Sequence, residues 1–135
     1  MLKSFARHSL VAVAFVASLC ASLTHAQQAA PGPTRTVLLR HDTTPGYEMV
    51  LVRAEIPVGG REGRHTHPGS VMVYVEQGTI SLDYEGKART EYKTGESFFV
   101  EEGKIHEGIN TGTVPAKALA TFYVKKGATL TAQVK

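Results

Sequence analysis

Two histidines one residue apart are the feature of this sequence with the clearest chemical meaning. His65 and His67 stand in the stretch RHTHPGSVMVYVEQG, residues 64–78. In a β-strand, residues i and i+2 point to the same face and lie about 6.5–7 Å apart, so their imidazoles can reach one metal ion at about 2.0–2.1 Å. On a helix this spacing would not bring the two rings together. Taken alone, the pair leaves two interpretations open: a metal site, or two surface or hydrogen-bonded histidines.

The residues around this pair follow a spacing that extends across most of the chain. Five residues separate Gly59 from His65, and Gly78 closes the strand that begins after His67. A second cluster lies downstream and consists of Gly95, Glu101, Glu102, Gly103, His106 and Asn110. These two clusters, in this order, resemble the two motifs of the cupin family over roughly residues 45–125. Glu101 departs from the family pattern, which has a proline there.

The resemblance implies a metal site inside a small jelly-roll barrel, also called a double-stranded β-helix. His65 and His67 would come from one strand and its loop, and His106 from a strand that faces them. Val71 stands where most metal-binding members of the family carry a glutamate ligand. The resemblance therefore implies a three-histidine site that lacks the usual carboxylate.

Three neutral imidazoles would leave a divalent ion with its full charge of +2. Oxygen-preferring ions such as Mg²⁺ and Ca²⁺ should bind such a site poorly, whereas Fe²⁺, Ni²⁺, Zn²⁺ and Cu²⁺ suit imidazole better. Some cupin dioxygenases use a three-histidine iron site, so the resemblance permits a metal-dependent oxygenase acting on a small organic molecule. The loss of the glutamate favours the alternative, a non-catalytic module that binds a small molecule or a metal.

The sequence identifies no catalytic residue, and the three histidines are candidate metal ligands only. Glu101 and Glu102 precede the turn at Gly103 and are expected to be solvated. Glu107 follows His106 directly and should point to the opposite face of its strand. Tyr74, Tyr84 and Tyr123 could each donate a hydrogen bond inside the barrel but are expected to be core aromatics. The segment Phe98, Phe99 and Val100 is expected to form core wall. His41 matches no motif position and is expected to face solvent or to be hydrogen-bonded.

Short strand-like runs, separated by turn residues at intervals of about 8–12, predict an all-β barrel or sandwich. The predicted strands are TVLLR, YEMVLVRAEI, SVMVYV, TISLDY, ARTEY, ESFFV, HEGIN and KALATFYV. In YEMVLVRAEI, the alternate residues Val50, Val52, Ala54 and Ile56 should share one buried face.

The first 26 residues are typical of an export signal. Lys3 and Arg7 give a basic start, an apolar run follows, and THA before QQ suggests cleavage after Ala26. The apolar run is shorter than the roughly 18–20 residues that a spanning helix needs, and an uncleaved N-terminal anchor is the alternative. Residues 27–35 are expected to form a flexible leader and residues 36–135 the barrel domain. These features predict a periplasmic or secreted protein.

The charge balance argues against nucleic acid as a partner. The chain carries 15 basic and 12 acidic residues, and two of the basic ones lie in the signal. The mature chain is therefore nearly neutral and has no basic cluster. Its predicted partners are a small-molecule ligand or substrate and, from the family resemblance, a second copy in a homodimer, for which the segment 36–40 is a candidate edge strand.

Overall fold

The computed structural model describes residues 32–135, and within this range the chain consists of strands, turns and loops. The ten strands are β1 (Thr34–Asp42), β2 (Tyr47–Ile56), β3 (His65–Thr66), β4 (Ser70–Gln77), β5 (Thr79–Tyr84), β6 (Thr90–Lys93), β7 (Ser97–Val100), β8 (His106–Asn110), β9 (Ala116–Lys125) and β10 (Ala132–Gln133). Among the described residues, no helix is long and apolar enough to cross a membrane.

The strands form two five-stranded antiparallel sheets. The first sheet has the order β1-β2-β9-β4-β7, and the second has the order β10-β3-β8-β5-β6. Successive strands cross repeatedly between the two sheets, which is the jelly-roll arrangement. The predicted all-β fold is confirmed. Every predicted strand is present, whereas β3 and β10, with two residues each, were not predicted because so short a pairing leaves no periodic pattern.

The predicted export signal at residues 1–26 lies outside the described residues, as does most of the leader. β1 begins at Thr34, so this strand includes the last two residues of the stretch expected to be a leader. The boundaries of the mature domain otherwise remain a prediction.

Alternation along the strands of the first sheet builds the core. In β2, Val50, Val52 and Ile56 are buried while Met49 is exposed, as the period-two pattern predicts. Opposite them on β9 lie Phe122, Ala120 and Ala116 in the same register. The buried apolar cluster comprises Val50, Val52, Ile56, Val71, Val73, Val75, Ile80, Leu82, Tyr84, Val100, Ala116, Ala118, Phe122 and Val124.

The edge strand β1 contains a β-bulge that changes which residues face inward. Val37 pairs with Val52 and Leu39 pairs with Leu51, so the register shifts by one residue between them. Paired residues share a face, so Val37 turns to the inner side of the sheet with Val52, and Leu39 turns outward with Leu51. The bulge thus accommodates one extra residue in the edge strand.

Asn110 and Gly78 each determine the path of a connection between strands. The amide nitrogen of Asn110, a buried residue, donates to the carbonyl oxygens of Ile56 and Val114 at 2.9 and 2.8 Å. Gly78 joins β4 to β5 with φ of +83°, and a Cβ there would lie 3.0 Å from the Cα of Ala116. Glycine is required at this turn by both conformation and space.

Candidate metal site

The three predicted histidines come from two neighbouring strands of the second sheet and the turn beside them. His65 opens β3 and pairs directly with His106, the first residue of β8. His67 follows two residues after His65, just beyond the end of the short strand. All three side chains are buried, with relative exposures of 1%, 7% and 5% for His65, His67 and His106.

The three imidazole rings form a compact triangle. The ring centroids lie 4.8 Å apart for His65 and His67, 4.3 Å for His65 and His106, and 4.8 Å for His67 and His106. One ring nitrogen from each residue lies within 4.8 Å of the other two. Nitrogens that share one ion at about 2.1 Å lie roughly 3–3.5 Å apart, so binding would draw the more widely spaced nitrogens together.

Backbone carbonyls fix the tautomer of each ring. The Nδ1 atom of His65 lies 2.7 Å from the Gly63 oxygen, that of His67 lies 2.7 Å from the Leu130 oxygen, and that of His106 lies 3.0 Å from the Lys104 oxygen. A carbonyl oxygen only accepts hydrogen bonds, so each Nδ1 must donate. In the neutral ring the lone pair then resides on Nε2, which is the form that ligates a metal.

Burial keeps two of these rings neutral. Desolvation lowers the pKa of His67 to about 3 and outweighs the hydrogen bond to Leu130, which raises this pKa. The same cause lowers the pKa of His106 to about 4. Neither ring therefore carries a proton on Nε2 at neutral pH, and their lone pairs are available to a cation.

An ion pair between the exposed Arg61 and the buried Glu107 supports the backbone that holds His65. Glu107, on the opposite face of β8 from His106, accepts hydrogen bonds from Arg61 at 3.0 and 2.6 Å and from the Gly63 amide at 3.1 Å. The hydrogen bond from Arg61 is the main reason that the pKa of Glu107 is lowered. The carbonyl of Gly63 in turn accepts from His65. Glu107 is thus two hydrogen bonds away from a candidate ligand, and its outward direction agrees with the prediction.

Val71 lies at the wall of the same space as the histidines. It is 1% exposed, and it lines a cavity together with His65, His67 and His106. Its neighbours in the first sheet are Phe122 on β9 and Val100 on β7. Val71 therefore presents only methyl groups to the cavity.

The rest of the cavity is almost entirely apolar. Its volume is about 50 Å³, and beyond the three histidines its walls are made by side chains such as Val52, Val73, Leu82, Phe98 and Phe122. A water molecule needs roughly 10–15 Å³ of such space, so the cavity holds about four waters or a ligand of similar size.

Sequence reasoning missed two charged residues that line this cavity, Arg35 and Glu62. Arg35 lies on β1, within the segment expected to be a leader, and Glu62 lies in the loop before β3. Their side chains form an ion pair, with 2.8 Å between Nη2 and Oε1. No motif marks either residue, and only the pairing of β1 and the path of the 57–64 loop bring them together.

The aromatic and acidic residues near the site divide between the two faces of the sheets. Tyr84 is buried, stacks beside His106 at a centroid distance of 6.2 Å, and donates a hydrogen bond to Glu101. The expectation that Tyr74 and Tyr123 are core aromatics is wrong, because both fall on the outward phase of their strands and are exposed.

The remaining expectations for this region have mixed outcomes. Phe98 and Val100 line the cavity as core wall, whereas Phe99 points outward between them and is 52% exposed. Glu101 and Glu102 are exposed, as predicted. His41 lies on exposed β1, away from the cavity, and faces solvent as predicted.

The chain belongs to the cupin family: a family model described as the cupin domain matches residues 52–122. This span runs from the middle of β2 to β9 and contains the three histidines.

Curated relatives share about a third of their aligned residues with this chain. Auxin-binding protein ABP20 of Prunus persica is 34% identical over 82 residues, which cover 57% of this chain and 38% of that protein. Germin-like protein subfamily 3 member 3 of Arabidopsis thaliana is 37% identical over 82 residues, covering 57% and 39%. The matched region thus spans less than half the length of these relatives.

Solved structures share the fold at lower identity. An oxalate oxidase structure has a TM-score of 0.65 at 20% identity and covers 78% of this chain and 57% of that one. A Klebsiella pneumoniae protein with a double-stranded β-helix domain has a TM-score of 0.62 at 21% identity, covering 77% and 85%. The DMSP lyase DddQ of Ruegeria pomeroyi has a TM-score of 0.57 at 20% identity, covering 64% and 43%. Proteins with such different names on one fold show that the fold leaves the reaction open.

Proposed function

We propose that the protein binds one divalent transition metal ion, Fe²⁺, Ni²⁺, Zn²⁺ or Cu²⁺, through His65, His67 and His106. The observation that carries this proposal is the convergence of three buried, mutually facing imidazoles whose Nδ1 atoms are all engaged by backbone carbonyls. Such a donor set suits a borderline ion and leaves other coordination positions for water or ligand.

We further propose that the metal-loaded protein is an enzyme acting on a small organic molecule, with oxygenase chemistry as the reaction class. When bound, the ion would supply a Lewis-acid or redox centre at one end of the cavity. The apolar walls would exclude water from the ligand, and Tyr84 would hold the ring of His106 in place from the side.

The alternative is a non-catalytic binding module. Val71 favours it, because a site that lacks the usual carboxylate leaves the full charge of the ion uncompensated and presents methyl groups at that position. The cavity would then hold a small ligand, or a metal with a structural role.

Elemental analysis of protein purified from its native compartment tests the metal, and oxygen uptake distinguishes the two functions. The proposal expects about one transition metal ion per chain in the wild type and a loss of that metal in His106→Ala. Oxygen consumption by the iron-loaded protein with small organic candidates would support the enzyme. Absence of metal at stoichiometric level after loading with each of the four ions would refute the site.

We also propose export to the periplasm or the cell exterior. The support is the basic start, apolar run and cleavage-like THA-QQ junction in residues 1–28. N-terminal sequencing of protein recovered outside the cytoplasm should begin at Gln27. A start at Met1 would contradict cleavage.

A homodimer formed through the outer face of the first sheet completes the proposal. Exposed apolar side chains occupy this face on five adjacent strands: Leu39, Met49, Met72, Tyr74, Phe99 and Tyr123. Large exposed apolar patches commonly mark interfaces. Sedimentation velocity should show a dimer for the wild type and a monomer for Met72→Lys. Val58→Lys, at an exposed valine in the turn after β2 and outside the six residues of this face, should remain dimeric. A monomeric wild type would contradict the proposal.

A further inference from the structure

The ion pair of Arg35 and Glu62 joins the two sheets beside the histidine cavity. Arg35 belongs to the edge strand of the first sheet, whereas Glu62 belongs to the loop that leads into the second sheet at His65. Both side chains line the cavity, and their relative exposures are 34% and 15%. Their partial exposure places them where the cavity meets solvent.

The fold makes room for this pair at a particular point. A Cβ on Gly108 would lie only 2.5 Å from the Oε2 atom of Glu62. Gly108 lies two residues after His106 on β8, so the carboxylate rests on the same inner face as that histidine, one step further along the strand. A larger residue at position 108 would push Glu62 out of the cavity wall.

Stability alone is a weak explanation for two charges in this place. Partly exposed ion pairs contribute about 0–1 kcal/mol, and the surrounding walls are apolar. Apart from the three histidines, Arg35 and Glu62 are the charged or titratable side chains that line the cavity within residues 32–135. The cavity is therefore lined by a charged pair, Arg35 and Glu62, by the three histidines, and elsewhere by apolar side chains.

Most N–H donors of the Arg35 guanidinium have no acceptor among residues 32–135. It uses one Nη2 hydrogen bond on Glu62, and within residues 32–135 no other side-chain or backbone acceptor takes a hydrogen bond from it. A guanidinium has five N–H donors in a planar fork that matches a carboxylate. A second carboxylate can therefore bind Arg35 while Glu62 remains in contact.

We propose that Arg35 binds the carboxylate of a small aliphatic carboxylic acid in the cavity, with Glu62 holding the guanidinium in position. This inference deepens the proposed function, on which it rests, by naming the class of ligand. Space for about four waters limits the ligand to a few non-hydrogen atoms. The apolar walls favour an aliphatic body, and the positive charge of Arg35 selects against a neutral analogue of the same shape.

Propionate and propionamide provide a matched pair of probes, since they have the same shape and differ in charge. Isothermal titration calorimetry on the zinc-loaded protein should show propionate binding at least tenfold more tightly than propionamide. Arg35→Gln should weaken propionate binding about tenfold or more, because it removes a charge-assisted hydrogen bond, and should leave propionamide unchanged. Arg35→Lys should fall in between, because it keeps the charge and loses the fork.

Arg40→Gln is the matched control. Arg40 lies on the same strand and pairs with a glutamate, Glu48, at 2.9 Å, but it does not line the cavity. This variant should bind propionate as the wild type does. Wild-type affinity in Arg35→Gln, or an equal loss in Arg40→Gln, would overturn the inference.

A titration of the metal-free protein separates this inference from the metal proposal. Nuclear magnetic resonance of the arginine side chains should show the Arg35 Nε–H signal moving with millimolar propionate and not with propionamide. If zinc does not bind but this shift is seen, the metal proposal fails and the carboxylate site stands. If zinc binds and neither method detects an Arg35-dependent preference for propionate, the metal proposal stands and the inference is overturned.

Discussion

Acidifying the metal-free protein should unfold it through the two histidines that burial keeps neutral. The pKa values of His67 and His106 are lowered from 6.5 to about 3 and about 4, mainly by desolvation. In the unfolded chain these rings take up protons near pH 6.5, whereas in the folded chain they resist protonation. Lower pH therefore favours the unfolded state.

The sign and the window follow from linkage between proton binding and folding. Well above pH 6.5 both rings are neutral in both states, so their burial carries no protonation penalty. Between pH 6.5 and about 4 the unfolded chain binds up to two more protons, and the free energy of unfolding falls by up to about 2.7 kcal/mol per pH unit. At pH 5 the two rings together cost about 4 kcal/mol, a large part of the roughly 5–15 kcal/mol that stabilises a typical domain.

Urea titrations in the presence of a chelator measure this effect. Between pH 7.5 and pH 5 the unfolding midpoint should fall by about 1–4 M, given slopes of about 1–3 kcal/mol per molar urea. Glu48 and Glu107, whose pKa values are lowered from 4.5, lose their contribution only below that value, so they do not add to the change within this window.

Two variants make the test specific. The double variant His67→Gln with His106→Gln should have a nearly flat midpoint between pH 7.5 and pH 5, whatever its absolute stability. His41→Gln, at an exposed histidine on β1, should retain the wild-type dependence. A wild-type midpoint that does not change with pH, or an unchanged slope in the double variant, would refute the argument that burial holds these rings neutral.

Three substitutions probe the site from different sides. His106→Ala should abolish zinc binding, measured by equilibrium dialysis, and should keep the β-rich circular dichroism spectrum because sheet packing holds the barrel. The control His41→Ala should bind zinc normally. Unfolding of the wild type on chelation would contradict the expectation that the barrel is stable without its ion. Val71→Glu should raise Mn²⁺ affinity in metal titrations because it supplies an anionic oxygen. The buried carboxylate should lower the stability of the metal-free form by several kcal/mol. Unchanged Mn²⁺ affinity in a folded variant would show that residue 71 does not reach the ion. Glu107→Gln should weaken zinc binding about 10–100-fold by loosening the backbone that orients His65, and wild-type affinity would exclude this supporting role.

The strand pattern and the approach of His65 to His67 were predictable because each depends on local sequence. Period-two alternation identifies the inner face of β2, and the same rule brings His65 and His67 to one side. His106 required more than alternation, since its approach to His65 depends on the pairing of β3 with β8. Its assignment came from the spacing of the second motif.

The contacts that complete the site were not predictable, because they join segments far apart in sequence. The carbonyl of Leu130 fixes the tautomer of His67 across 63 positions, and a carbonyl leaves no trace in a side-chain pattern. Arg35 and Glu62 are 27 positions apart and look like ordinary surface residues. The error at Tyr74 had a local origin, since the alternation that places Val73 inward already excludes its neighbour.

The bulge in β1 determines the chemical character of one cavity wall. With Leu38 accommodated as the extra residue, Arg35 pairs with Ala54 and turns inward. If the strand slipped by one residue to pair without a bulge, Thr36 and Leu38 would turn inward and Arg35 would turn to solvent. The bulge therefore gives the cavity a cationic wall, where a regular strand in the register of Leu39 would give it an apolar one. Deletion of Leu38 would remove the extra residue and leave Arg35 paired with Ala54 in a regular strand.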